Sequence, residues 1–133
     1  MKILVVDDEK AMTSLFQDYL ELCGGHKITI ALSGKEALAK IQTQKPDLII
    51  LDHMMPDLSG VEVVDQLKKS TNTADIPVVI FSVADAPTEE ERKSIGVIEF
   101  LRKPINFAKL NQSSINLIYY GPCPGGAKKT PYR

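Results

Sequence analysis

The chain is short of cysteine and close to neutral, and each of these removes a class of function. Its 133 residues include two cysteines and two histidines. Cys23 and Cys123 show neither metal-ligand spacing nor a disulfide framework, and they read as two reduced thiols. The formal net charge of −1 gives no global pull towards nucleic acid or anionic membrane. No apolar stretch approaches the roughly 20 residues that a bilayer span needs. Met1-Lys2 is too short to be the charged region of a signal peptide, so a cytoplasmic location is expected, without a membrane. There is no internal repeat. A composition of 44% hydrophobic and 25% charged residues is that of an ordinary globular chain, long enough for one good core.

What is present is strict alternation. Short apolar runs predict strands near 2–6, 27–31, 47–51, 77–81 and 99–101. Helical spacing predicts helices near 10–22, 35–42, 61–70, 89–95 and 107–119. Ser33…Glu36, Ser59…Glu62 and Thr88…Glu91 each have the form of a capping box at a helix start. Met12, Leu15, Phe16, Tyr19, Leu20 and Leu22 approximate a one-face stripe on the first helix, which Gly24-Gly25 would end. Ala37, Leu38 and Ile41 mark the second helix, and Val61, Val63, Val64 and Leu67 the third. Alternation of this kind implies right-handed crossovers. The expected class is α/β, a doubly wound five-stranded parallel sheet with helices on both faces.

Chemistry-bearing residues stand where these runs end. Asp7-Asp8 follow Ile3-Leu4-Val5-Val6, Asp52 follows Leu48-Ile49-Ile50-Leu51, Ser82 follows Val78-Val79-Ile80-Phe81, and Lys103 comes soon after Phe100-Leu101. Ligands of open α/β sheets bind at the carboxyl ends of the strands, so three acids, a hydroxyl and an amine converge on one edge. Like carboxylates this close are costly to ionise together unless a cation joins them. Mg²⁺ suits such a site, because it takes oxygen ligands and is commonly held by one or two carboxylates plus phosphate oxygens. Asp52 could then act as nucleophile towards a phosphoryl group. Lys103 supplies a point charge and Ser82 a hydroxyl donor for the phosphoryl oxygens. One Asp after a strand is commonly a cap or turn residue. The ordered set after successive strands is what carries the chemical reading.

These residues bring the chain to a family. It resembles the receiver domain of two-component response regulators in Ile3-Leu-Val-Val-Asp-Asp-Glu9, in Pro46-Asp-Leu-Ile-Ile-Leu-Asp-His-Met-Met-Pro-Asp-Leu-Ser-Gly60, in Ile76-Pro-Val-Val-Ile-Phe-Ser82 and in Gly96-Val-Ile-Glu-Phe-Leu-Arg-Lys-Pro104. The resemblance implies a flavodoxin-like arrangement and a phosphorylation-controlled switch whose output is binding rather than turnover. It implies that a sensor histidine kinase or a histidine phosphotransfer protein donates a phosphoryl group to Asp52. It further implies Mg²⁺ bound by Asp8, Asp52 and the backbone carbonyl of Met54, with Asp7 acting mostly through water. Ser82 and Phe100 would move together on phosphorylation and remodel the face made by the fourth helix, fifth strand and fifth helix. A downstream protein target, which the sequence does not name, would read that face. A resting monomer is expected, with dimerisation on phosphorylation left open and no direct contact with nucleic acid.

The chain also departs from the family. Val83 stands where Ala or Gly is usual, and it either narrows the phosphoryl pocket or simply packs. Met54 and Ala84 lie two residues beyond Asp52 and Ser82, and neither can orient a water through a hydrogen bond, so slow self-dephosphorylation is expected. His53 is turned away from the Asp52 side by strand alternation and reads as a packing or loop residue. His26 reads as a solvated turn residue. The receiver domain is expected over 1–120, followed at 121–133 by a tail with three prolines, three glycines and three basic residues, read as an extension or linker stub too short for a DNA-binding module.

Rival readings have identifiable signatures. A phosphorylation-independent interaction module would not need Asp8, Asp52, Ser82 and Lys103 together. A flavin-binding protein should carry a Ser/Thr/Gly-rich phosphate loop after its first strand, where Asp7-Asp8-Glu9 stand. A metal-dependent phosphatase with an Asp nucleophile would want a second acid where Met54 is.

Overall fold

Buried parallel strands read as continuous apolar runs because helices cover both faces, and the runs of this chain pair as that rule requires. The computed structural model describes residues 2–23, 26–82 and 99–102, with Glu90 and Gly96. Its elements are β1 (Lys2–Val6), α1 (Lys10–Cys23), β2 (Lys27–Ala31), α2 (Gly34–Gln44), β3 (Leu48–Asp52), α3 (Gly60–Lys68), β4 (Val78–Ser82) and β5 (Glu99–Arg102). The strands form one sheet in the order β2-β1-β3-β4-β5. Every neighbouring pair is parallel. This is the doubly wound, flavodoxin-like order expected from the sequence, in which the chain reverses direction across the sheet between β1 and β3. Apart from Glu90, the expected helices at 89–95 and 107–119, the Thr88…Glu91 cap, Gly24-Gly25, Cys123 and the 121–133 tail lie outside the described residues.

Strand alternation divides the core in two. On one face Leu4, Val6, Ile49, Leu51, Val78 and Ile80 pack with Ala37 and Ile41 of α2 and Val63, Val64 and Leu67 of α3. On the other, Ile3, Val5, Leu48, Ile50, Val79 and Phe81 pack with Phe16 and Leu20 of α1. Phe16 and Phe81 meet with ring centroids 5.1 Å apart at an interplanar angle of 43°, an offset geometry that aromatic pairs favour. All five residues of β3 and of β4 are buried. Residues at their carboxyl ends are therefore delivered to fixed positions.

The stripe on α1 is narrower than its sequence suggests. Phe16 and Leu20, one helical turn apart, face the sheet, with Met12 and Tyr19 flanking them, while Leu15 and Leu22 are 53% and 67% exposed. Helical turning carries these last two off the buried arc.

The helix starts follow the capping chemistry with one difference. Ser59 and Glu62 make the full capping box on α3. On α2, Ser33 accepts from the Glu36 N–H, but the Glu36 carboxylate accepts from Leu32 N at 3.0 Å rather than from the cap residue. α2 runs on to Gln44, where Lys45 takes the left-handed conformation (φ 35°) and donates its N–H to the Ile41 carbonyl. α3 stops at Lys68, short of the expected residue 70. The buried Thr73 hydroxyl donates to the Leu67 carbonyl at 2.6 Å, and Thr73 N donates to Ser70 O, folding the chain into turns instead.

Candidate functional site

The acids sit at the reversal point of the sheet. Val6 of β1 is level with Leu51 of β3, so Asp7 and Asp52 emerge side by side from adjacent strands. Asp7 N donates to Ala31 O, extending the β1–β2 ladder by one step, and its Oδ1 accepts from Glu9 N at 3.0 Å. That bond turns the chain out of β1 towards α1. Asp52 is the last residue of β3 rather than the first beyond it, and it accepts from Met54 N at 3.4 Å. Asp7 is 0% and Asp52 2% exposed, while Asp8 is exposed. One carboxylate oxygen from each of Asp7, Asp8 and Asp52 lies within 4.8 Å of the other two.

The remaining residues divide by where they fall. Phe81 is the register partner of Asp52, and Ser82, fully buried, ends β4 one residue later. Phe100 stands in β5 level with Ile80. The side chain of Phe100, and Lys103, Val83 and Ala84, lie outside the described residues. Met54 is 62% exposed in the loop beyond β3. His53 is half-buried, with its N–H donated to Phe81 O and its carbonyl accepting from Gly60 N, which fits the packing role read from alternation.

The donor set fits a hard divalent cation. Two oxygens bound to one Mg²⁺ are at most about 4.2 Å apart, twice the usual metal–oxygen distance. Oxygens that all lie within 4.8 Å of one another thus need at most a contraction of roughly half an ångström, or one bridging water. The same three carboxylates, two of them buried, repel one another when ionised without a cation. Carboxylate oxygens without imidazole or thiolate favour Mg²⁺, Ca²⁺ or Mn²⁺ over softer metals.

Sequence reasoning passed over one residue near the site. Asp57, in the loop beyond β3, accepts from Gly34 N at 3.1 Å and from Lys35 N at 2.8 Å at the start of α2. An Asp after Pro56 reads locally as a turn residue, and no local pattern points to partners more than twenty positions earlier. Burial raises its carboxyl pKa, but donors from Lys35, Gly34, Leu58 and its own backbone outweigh that and hold it below the usual carboxylate value.

The fold and the acidic edge define a doubly wound α/β domain with a cation-compatible cluster at the carboxyl ends of its central strands. The chain belongs to the response regulator receiver domain family, whose model matches residues 3–114. It is 39% identical over 111 residues to the alkaline phosphatase synthesis transcriptional regulatory protein PhoP of Bacillus subtilis, covering 83% of this chain and 45% of that protein. Among solved structures it is similar to the signal receiver domain of a DNA-binding response regulator from Colwellia psychrerythraea 34H, with a TM-score of 0.77, 28% identity, and 89% and 98% of the two chains covered. It is also similar to the Mn²⁺-bound form of response regulator Rcp1, with a TM-score of 0.69, 30% identity, and 82% and 85% covered. The chain spans under half the length of the curated relatives it matches. It is a receiver domain of two-component signalling, and the domain is a regulatory module. Among the described residues, no helix is long and apolar enough to cross a membrane.

Proposed function

We propose that Asp52 is the phosphoacceptor of a Mg²⁺-dependent switch charged by a sensor histidine kinase or a histidine phosphotransfer protein. The observation that carries this is the gathering of Asp7, Asp8 and Asp52 oxygens within 4.8 Å at the carboxyl edge of the sheet. An Asp52 carboxylate oxygen attacks phosphorus, an O–P bond forms as the N–P bond of the phosphohistidine breaks, and the electron pair leaves on the imidazole nitrogen. Asp8, Asp52 and the Met54 backbone carbonyl would hold Mg²⁺, with Asp7 acting through water. When bound, the ion offsets the negative charge that Asp52 and the phosphoryl oxygens bring together. The Mn²⁺-bound form of the similar Rcp1 structure supports a divalent cation here.

Ser82 donates its hydroxyl to a phosphoryl oxygen. Lys103 pairs with Asp52 before transfer and with the phosphoryl group after it. Ser82 and Phe100 then shift together, and the face formed by the fourth helix, β5 and the fifth helix changes its affinity for a downstream protein. The output is binding, and the setting is the cytoplasm. Relatives that are longer and bear transcriptional names support a second layer, in which such a receiver controls a separate output module.

The test is intact-protein mass after incubation with acetyl phosphate and Mg²⁺, beside Asp52→Ala. One phosphoryl adduct that requires Mg²⁺ and disappears in the variant is expected. An adduct that survives Asp52→Ala, or one indifferent to Mg²⁺, would overturn the assignment.

A further inference from the structure

The amino terminus of α2 is capped twice, and the second cap comes from the loop that carries the candidate metal ligand. Ser33 supplies the ordinary cap, accepting from Glu36 N at 3.0 Å. Asp57 supplies the other from across the sequence, one carboxylate oxygen on Gly34 N and the second on Lys35 N. A charged acceptor on two successive backbone donors makes a stronger and better-aligned tie than a neutral one.

Packing backs the tie. A Cβ on Gly34 would stand 2.7 Å from the Leu58 Cβ, so α2 and the loop are in close contact. Leu58 in turn packs against the core shared by the sheet, α2 and α3. The loop begins at the end of β3, where Met54 N reaches the Asp52 carboxylate, and it closes where Gly60 N donates to His53 O. Asp57 is three residues from Met54. If the loop slides along α2, the Met54 peptide moves relative to Asp52.

We infer that Asp57 is a positioning residue for the phosphoacceptor loop, holding the Met54 peptide at the metal and phosphoryl site by clamping the loop across Gly34 and Lys35. This rests on the reading of Asp52, Asp8 and Met54 given above. It differs from a simple helix cap in what it predicts. A cap stabilises α2 alone, whereas a positioning residue also sets affinity for the cation.

Ser33 provides the control, because Ser33→Ala weakens the same helix end without touching the loop. The experiment compares the full chain with Asp57→Ala, Asp57→Asn and Ser33→Ala, by thermal unfolding and by calorimetric titration with Mg²⁺. Both alanine variants should unfold at lower temperature. Only Asp57→Ala should weaken Mg²⁺, by at least about threefold and short of the roughly 10–100-fold seen on losing an outer-shell partner of a ligand. Asp57→Asn, whose amide oxygen still accepts one of the two bonds, should fall between wild type and Asp57→Ala. A wild-type Mg²⁺ affinity in Asp57→Ala, or an equal loss in Ser33→Ala, would overturn the positioning role and leave a helix cap. If Asp57→Ala does not fold, the affinity of Asp57→Asn decides in the same way. A wild-type chain that fails to bind Mg²⁺ would overturn the site reading itself, a failure visible before any variant is compared.

Discussion

Gly60 donates its backbone N–H to the carbonyl of His53 at 2.8 Å, in a contact with no room for a side chain. A Cβ on Gly60 would stand 2.9 Å from His53 Cα and 3.0 Å from the Asp52 carbonyl oxygen. Both are backbone atoms, which cannot swing aside as a side chain does. Gly60→Ala is therefore expected to push on the strand end that carries Asp52, at a stability cost of about 1–3 kcal/mol. It should also slow Asp52 phosphorylation at saturating Mg²⁺. Urea unfolding and the rate of adduct formation check the two effects. Wild-type values in both would show that the contact relaxes freely.

Met54, two residues past Asp52 and largely exposed, is expected to influence the lifetime of the phosphorylated state proposed for Asp52. A thioether is a weak acceptor and cannot hold a hydrolytic water in line. The phospho-Asp52 half-life at neutral pH is thus expected to run to minutes or longer, and Met54→Asn, which adds a donor and an acceptor, should shorten it. Loss of the mass adduct with time measures this. A half-life of seconds in the unmodified chain would refute it.

Acid should destabilise the fold in two stages. His26 is half-buried rather than the solvated turn residue expected from the sequence, with both ring nitrogens out of solvent. This burial lowers its pKa from 6.5 to about 4, so the unfolded chain takes up this proton first. Stability is then lost as pH falls from about 6.5 towards 4, because the unfolded state binds more protons across that window. Asp57 and Glu36 act lower down. Glu36 is held below its ordinary 4.5 first by the Leu32 N–H and then by Lys40, and Asp57 below 3.8 by its backbone donors. What they contribute is present above those values and is lost as pH falls through the folded ones. His26→Gln should flatten the upper stage and leave the lower intact in urea midpoints measured from pH 7 to pH 3. An unchanged upper stage would place its origin elsewhere.

The legibility of this chain follows the range of each interaction. Asp7, Asp52 and Ser82 could be picked out because a buried parallel strand writes itself as an apolar run, and the residue ending each run is delivered to the same edge of the sheet. Ser59…Glu62 could be read because a capping box is local. Asp57 could not, since its partners Gly34 and Lys35 lie far back along the chain and only the folded loop brings them together. Leu15 and Leu22 misled for a related reason. Apolar spacing marks a helix, but only the docking of Phe16 and Leu20 decides which arc is covered. The end of α3 depended on the hydroxyl of Thr73 reaching Leu67, a bond that competes with helix continuation and that propensity does not register.

The acidic cluster is expected to carry a stability penalty that a cation reverses. Asp7, Asp8 and Asp52 bring three carboxylates together with two of them buried. Two like charges about 4 Å apart repel by about 1 kcal/mol in water and more where water is excluded. In the presence of EDTA, Asp8→Asn is therefore expected to be more stable than the unmodified chain by about 1 kcal/mol, because it relieves that repulsion while keeping the side-chain volume. Adding Mg²⁺ should invert the order. Binding stabilises the folded state in proportion to the logarithm of ligand over Kd, and the variant has surrendered a charged ligand. Paired urea titrations of both proteins in EDTA and in Mg²⁺ measure the crossing. If the two curves keep the same order in both conditions, the cluster does not share a cation through Asp8. If Asp8→Asn is the less stable protein even in EDTA, the carboxylate serves a structural bond rather than a metal.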